Sequence, residues 1–309
     1  MKLCFVFPGQ GSQYVGMGKE ISEGFPEAKE VFEEASAALG YDVADMCFNG
    51  PAEEMNKTFR TQPCILTVST ALHKVLVMKG ISPSVVAGHS LGEYSALVAA
   101  GVLSFRDAVQ LTEKRGQFMQ EAVPEGKGLM AAILGLQRSR MDEICLSLQS
   151  GYASPANYNC PGQIVIAGEK EAVEEAIRLA KEAGARRAIP LAVSVPSHCT
   201  LMADASKRLG QLLEEIEFRN PVIPLVNNAD AVFLNNVESI KGSLVRQLSS
   251  PLLWEDSIRV IADSGVDIFV EIGPGKVLSG LIKRIEDRAK TFNVEDMKSL
   301  ERTLEALGS

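Results

Sequence analysis

The sequence predicts an α/β fold: a parallel sheet with helices on both faces, carrying a smaller inserted subdomain. Three observations carry that expectation. Short apolar runs, KLCFVFP (2–8), SVVAG (84–88) and DIFVEIG (267–273), alternate with amphipathic helical stretches, as parallel strands covered by helices do. From Gly128 the order changes to strand, helix, strand, strand, helix, strand, the split βαβ pattern. At 88–92 the string GHSLG places a serine where a strand bends into a helix.

Taken in order, the first strand is KLCFVFP, followed by a Gly-rich loop and a long helical region near 63–78. SVVAG leads into the bend and the helical pattern EYSALVAAG (93–101). The next helix is FRDAVQLTEKRGQFMQEA (105–122). The inserted unit reads as strand LMAAILG, helix SRMDEICLSLQ, strand YASPANYN, a Pro161–Gly162 turn, strand QIVIAG, helix KEAVEEAIRLAKEAG and strand RRAIPLAV. Pro-Gly suits a hairpin connection, and Gly184 suits a helix C-terminus. This places a ferredoxin-like subdomain at 126–194 between the two parts of a large α/β domain, 1–125 and 195–309. IPLVNN (223–228) and DIFVEIG read as further core strands, and 290–309 as a peripheral helical tail.

Composition bounds the function. The 309 residues are 46% hydrophobic and 23% charged, enough for a sizeable core. A net charge of −8 argues against nucleic-acid or anionic-membrane binding, which want a basic face. Six cysteines without a CxxC pair, and only three histidines, argue against a zinc site. The apolar run in MKLCFVFPGQ is too short for a secretory signal, and no run is long enough to span a membrane. A cytoplasmic protein without metal or nucleotide cofactor is expected, with a monomer as the default.

GHSLG fits the G-x-S-x-G nucleophile elbow, which makes Ser90 a candidate nucleophile; a structural serine in a turn is the alternative. A serine hydroxyl needs a base. His89 is adjacent to Ser90 and poorly placed to reach back, and His73 lies within a helical stretch. His198, in LAVSVPSHCTLMADA, follows a strand through Pro196 into a turn that opens a helix, a usual place for site residues in α/β proteins. His198 is therefore the expected base. The hydrolase order of serine, acid, histidine is strained, because no acidic residue between Ser90 and His198 stands out as an orienting partner.

In helix 105–122, Phe105, Ala108, Val109, Leu111, Phe118, Met119 and Ala122 share one arc, and Arg115 projects from its middle. A buried guanidinium requires an anion. Either a structural ion pair or a substrate carboxylate held by the bidentate fork satisfies it. The second makes the acyl group dicarboxylic. The loop FPGQGSQYVGMG (7–18) fails G-x-G-x-x-G at Tyr14 and lacks a Walker A lysine. It can supply one oxyanion donor, Gln10, to pair with the N–H of Leu91; a plain tight turn accounts for it equally well.

Together these parts resemble the malonyl-CoA:acyl carrier protein transacylase family. The matching motifs are FPGQGSQ (7–13), TQPCILT (61–67), GHSLGEYSAL (88–97), RGQFMQEAVPEG (115–126), NYNCPGQIVIAG (157–168), VSVPSHCTLM (193–202), VRQLSSPLLW (245–254) and EIGPGKVLSGL (271–281). The resemblance implies a hydrolase-like core with the active site in a gorge beside the subdomain. It implies Ser90 as acyl nucleophile, His198 as base, Gln10 and Leu91 as oxyanion donors, and Arg115 as carboxylate clamp, with Gln62 and Met119 as further substrate contacts. It also implies the backbone carbonyl of Gln247 as the orienting partner of His198.

The activity so implied is ping-pong transfer of a malonyl group from malonyl-CoA to the phosphopantetheine thiol of acyl carrier protein, for fatty-acid synthesis. Carriers of this kind are acidic, which makes Lys283 and Arg284 candidate contacts. The rivals are an acyltransferase of a polyketide or malonate decarboxylase pathway, a serine thioesterase, and a binding protein without a reactive serine.

Overall fold

A computed structural model describes residues 2–124, 126–191 and 195–308. β1 (Leu3–Phe7) and β2 (Val85–Gly88) begin a first sheet. β3 (Gly128–Leu134), β4 (Ala153–Cys160), β5 (Gln163–Glu169) and β6 (Arg187–Pro190) form a second. β7 (Leu225–Val226), β8 (Phe233–Leu234), β9 (Ile268–Ile272) and β10 (Lys290–Val294) return to the first.

The first sheet has the order β10-β9-β1-β2-β7-β8 and is parallel except for the β7–β8 pair. Its central strands are buried at every position, as a sheet covered on both faces requires. The two-residue period is visible in β1. Phe5 and Phe7 pack into one core, while Cys4 and Val6 pack into the other beside Trp254 and Phe269. The α/β expectation holds, with helices on both faces.

The second sheet is antiparallel throughout, in the order β4-β5-β3-β6. Helix Lys170–Glu182 buries Ala172, Val173, Ala176, Ile177 and Ala180, a single 3.6-period stripe, against Ile133, Ile164 and Ile166. The opposite face of the sheet carries Met130, Val165 and Ala167. That face lines a cavity.

Three expectations need correction. The 290–309 segment is not only helical: Lys290–Val294 adds an edge strand to β9, and helix Met297–Leu307 follows, capped by Asp296 and Ser299. KTFNV is an edge strand with polar residues at three of five positions, so its apolar signal is weak. The strand expected over 223–228 shrinks to Leu225–Val226, because Asn227 and Asn228 leave the ladder to make side-chain and buried backbone bonds. The strand expected to run into Pro196 rests partly on 192–194, which lie outside the described residues; Val195–Ser197 are not strand.

The bend after β2 is set by close packing. A Cβ on Gly88 would sit 1.9 Å from the carbonyl of Gly92, and one on Gly92 would sit 2.0 Å from the Phe7 oxygen. Only glycine lets the helix start this close to β1. Gly92→Ala is expected to cost about 3 kcal/mol or more of stability through backbone displacement, measured by thermal unfolding.

Candidate active site

Ser90 stands at the bend with φ 55°, a left-handed backbone held by its surroundings. Its N–H donates to Asn228 Oδ1 at 2.7 Å, and Asn228 Nδ2 donates to the Gly88 carbonyl at 2.8 Å. One asparagine therefore ties both sides of the elbow. Its own N–H donates to the buried Glu93 carboxylate at 3.0 Å.

Ser90 Oγ lies 2.8 Å from His198 Nε2, and His198 Nδ1 lies 2.7 Å from the Gln247 carbonyl. A carbonyl can only accept, so Nδ1 carries the proton and Nε2 is free to accept from the serine. The His198 backbone is itself fixed, with φ 62° and its N–H donating to the Leu248 carbonyl at 3.1 Å. Burial, with the nearby Arg115 charge second, pushes the imidazole down to about 3, against the opposing pull of the Gln247 carbonyl. The ring is neutral at physiological pH.

Arg115 is 1% exposed. Nη1 donates to Gln62 Oε1 at 2.8 Å, and Nη2 donates to Gln247 Oε1 at 3.0 Å and to Ser90 Oγ at 3.3 Å. Among the described residues no carboxylate lies within ion-pair distance, and its Nε has no partner. Gln62 in turn donates to Met119 Sδ at 3.3 Å, which leaves its oxygen for Arg115. The structural ion pair left open by the sequence is absent among these residues. A cation is held by neutral amides beside a serine.

These groups open on a cavity of about 250 Å³, lined among others by Gln10, Leu91, Met119 and Asn159. Among the described residues neither the Gln10 nor the Leu91 N–H donates to a protein acceptor. The Gln10 side chain donates to Thr58 Oγ1 at 3.3 Å. The two other histidines are occupied elsewhere: His89 Nε2 is 2.9 Å from Asn159 Oδ1, and His73 packs edge-on to Phe5 and Phe7.

Residues 4–302 match the acyl transferase domain family. The malonyl CoA-acyl carrier protein transacylase of Escherichia coli strain K12 is 51% identical over 306 residues, 98% of this chain and 99% of the relative. This chain belongs to that family of acyltransferases. The Bacillus subtilis transacylase is 47% identical over 308 residues, 99% of this chain and 97% of its own. The crystal structure of an acyl carrier protein S-malonyltransferase from Vibrio cholerae superimposes with a TM-score of 0.96 at 49% identity, covering 98% of this chain and 100% of that one. A malonyl-transacylase solved with its type II PKS acyl-carrier protein does so at 0.97 and 50%, covering 99% and 100%.

Within this family fold, all eight residues singled out from the sequence lie in or against one site. Two others were missed, Asn228 and Glu93, together with a use for the side chain of Gln247, whose Nε2 donates to Glu93 Oε2 at 2.9 Å and to the Ser90 carbonyl at 3.1 Å. A signal for Glu93 existed, a carboxylate in an otherwise apolar helix whose first six residues are all buried. Asn228 follows a two-residue strand and had none. Lys283 and Arg284 are both engaged within the chain. Lys283 donates to the Ala289 carbonyl, and Arg284 ties helix Val277–Ile285 to Gln163 and Pro161 of the β4–β5 turn.

Asn228→Ala removes the acceptor for the Ser90 N–H and the donor to Gly88. It should cost about 2 kcal/mol of stability, since each buried group left unpaired costs about 1–3 kcal/mol, and slow acylation of Ser90. Thermal unfolding and the rate of acyl-enzyme formation check both.

Proposed function

We propose that this chain moves a malonyl group from malonyl-CoA to the phosphopantetheine thiol of an acyl carrier protein through a malonyl-Ser90 intermediate, supplying fatty-acid synthesis in the cytoplasm. The observation that carries the reading is the Arg115 guanidinium, buried without an ionic partner among the described residues and 3.3 Å from Ser90 Oγ. It suits an acyl group that ends in a carboxylate. The family membership and the substrates in the relatives' names support the same reading.

His198 Nε2 takes the Ser90 proton as Oγ adds to the thioester carbonyl. The oxyanion meets the N–H groups of Gln10 and Leu91. The C–S bond breaks, CoA leaves with the proton from His198, and the malonyl ester remains on Ser90 with its carboxylate on Arg115. The carrier thiol then gives its proton to His198, attacks the ester carbonyl and leaves as malonyl thioester, while the proton returns to Ser90. Gln62 and Met119 set the far side of Arg115. One thioester is exchanged for another, so the balance closes without a cofactor.

We also propose that residues 126–194 act as a ferredoxin-like subdomain on the large domain, 1–125 and 195–309. Its Met130 and Val165 line the cavity, and Arg138, bonded to Glu255 and Asp256, pins it from the far side. A second reading, with a polyketide carrier as acceptor, has one observation in its favour: the relative solved with a type II PKS carrier. The preferred carrier in transfer assays separates the two.

Intact mass spectrometry with malonyl-CoA, before and after phosphopantetheinylated carrier is added, tests the reading. A malonyl adduct that persists in water and moves to the carrier is expected. An adduct lost to water alone means a thioesterase, and Ser90→Ala should show none. For Arg115→Ala, malonyl loading should fall by about 10²-fold or more, the scale of a lost charge-assisted bidentate contact, while acetyl loading persists. Equal losses for both acyl groups would make Arg115 structural.

A further inference from the structure

Glu93 is 0% exposed, and its two oxygens are unlike. Oε2 accepts from the Asn228 N–H and from Gln247 Nε2, whereas Oε1 is buried without a partner among the described residues. The Gln247 amide lies between two charges: its NH2 faces Glu93 and its oxygen faces Arg115 Nη2. Each end of the amide dipole thus meets the charge of opposite sign. This is the arrangement of a cation and an anion compensated through a neutral bridge.

We propose that Glu93 is a positioning residue, the buried counter-charge of Arg115 acting through the Gln247 amide, and that it takes up a proton when an acyl carboxylate settles on Arg115. The inference rests on the malonyl-transfer reading above. When Glu93 is ionised and no acyl group is bound, Glu93 and Arg115 balance each other. An acyl carboxylate on Arg115 then leaves one negative charge in excess within a dry site, and Oε1 can receive a proton from solvent without disturbing either bond to Oε2.

Charge neighbours agree with the scheme. Burial raises the Glu93 carboxyl to about 7, with Gln247, the Asn228 N–H and Arg115 opposing it and Asp230 reinforcing it. Asp230 is itself paired with Arg246. Tyr94 stands beside Arg115 and burial holds its hydroxyl protonated, while burial pushes both His89 and His198 down, toward the neutral ring. The sign follows. Below about pH 7 Glu93 is neutral and Arg115 is fully available; above it the Glu93 anion competes with the acyl carboxylate.

The test is the ratio of acylation rate constants for malonyl-CoA over acetyl-CoA, followed by mass spectrometry between about pH 6 and 8.5. Effects on His198 and on the CoA moiety are common to both substrates and cancel. In the unaltered protein the ratio should fall roughly three- to tenfold as pH rises through that range, the scale of one charge interaction at several ångströms in a partly polarisable interior. In Glu93→Gln, which keeps an acceptor for Asn228 and Gln247, the ratio should be flat with pH and stay at or above the low-pH value of the unaltered protein. A flat ratio in the unaltered protein, or a fall that survives in Glu93→Gln, overturns the inference while leaving malonyl transfer intact. Absence of any malonyl adduct overturns both. The profile of the unaltered protein decides the matter even if Glu93→Gln does not fold.

Discussion

A guanidinium buried with no carboxylate against it among the described residues is the constraint around which this site is arranged. An uncompensated charge in a dry interior is costly, and helix Phe105–Ala122 nevertheless points Arg115 inward from the middle of its apolar arc. The surroundings meet that cost in two stages. Gln62 and Gln247 satisfy the donors with amide oxygens, and Gln247 in turn donates to the Glu93 carboxyl one residue further away. A carboxylate in direct contact would have stabilised Arg115 better, and among the described residues none stands there.

The same network holds the nucleophile. Gln247 uses its backbone carbonyl on His198 and its side chain on Arg115, Glu93 and the Ser90 carbonyl. Asn228 fixes the Ser90 N–H while its own N–H rests on Glu93. The strained backbone of Ser90 and the close glycine contacts at 88 and 92 are therefore anchored to the groups that hold His198 and Arg115. Displacing one of them moves the others, so single deletions here should not add.

Much of this was legible in the sequence because it depends on local pattern. The alternating burial of β1, the stripe of helix Lys170–Glu182 and the Gly-x-Ser-x-Gly bend are each encoded within a few residues. Arg115 was legible for the opposite reason, as a charge that breaks its own helical pattern. What escaped was set by contacts far apart in sequence. Asn228 reaches Ser90 across 138 positions and Gln247 reaches Glu93 across 154, and no spacing rule records such a meeting. The edge strand Lys290–Val294 escaped for a milder reason: its pairing to β9, more than its own apolar content, makes it a strand.

The choice of a carbonyl to orient His198 follows from the same charge balance. A carboxylate on Nδ1 would stabilise a charged imidazole, and it would also place an anion close to Arg115. With Gln247 O in that position the imidazole is oriented and its tautomer fixed, and no charge is added. The resulting base is weak, pushed down to about 3 by burial and by Arg115. A neutral orienting group, a cation held by amides and a carboxyl kept at one remove are the features on which the proposed malonyl transfer rests.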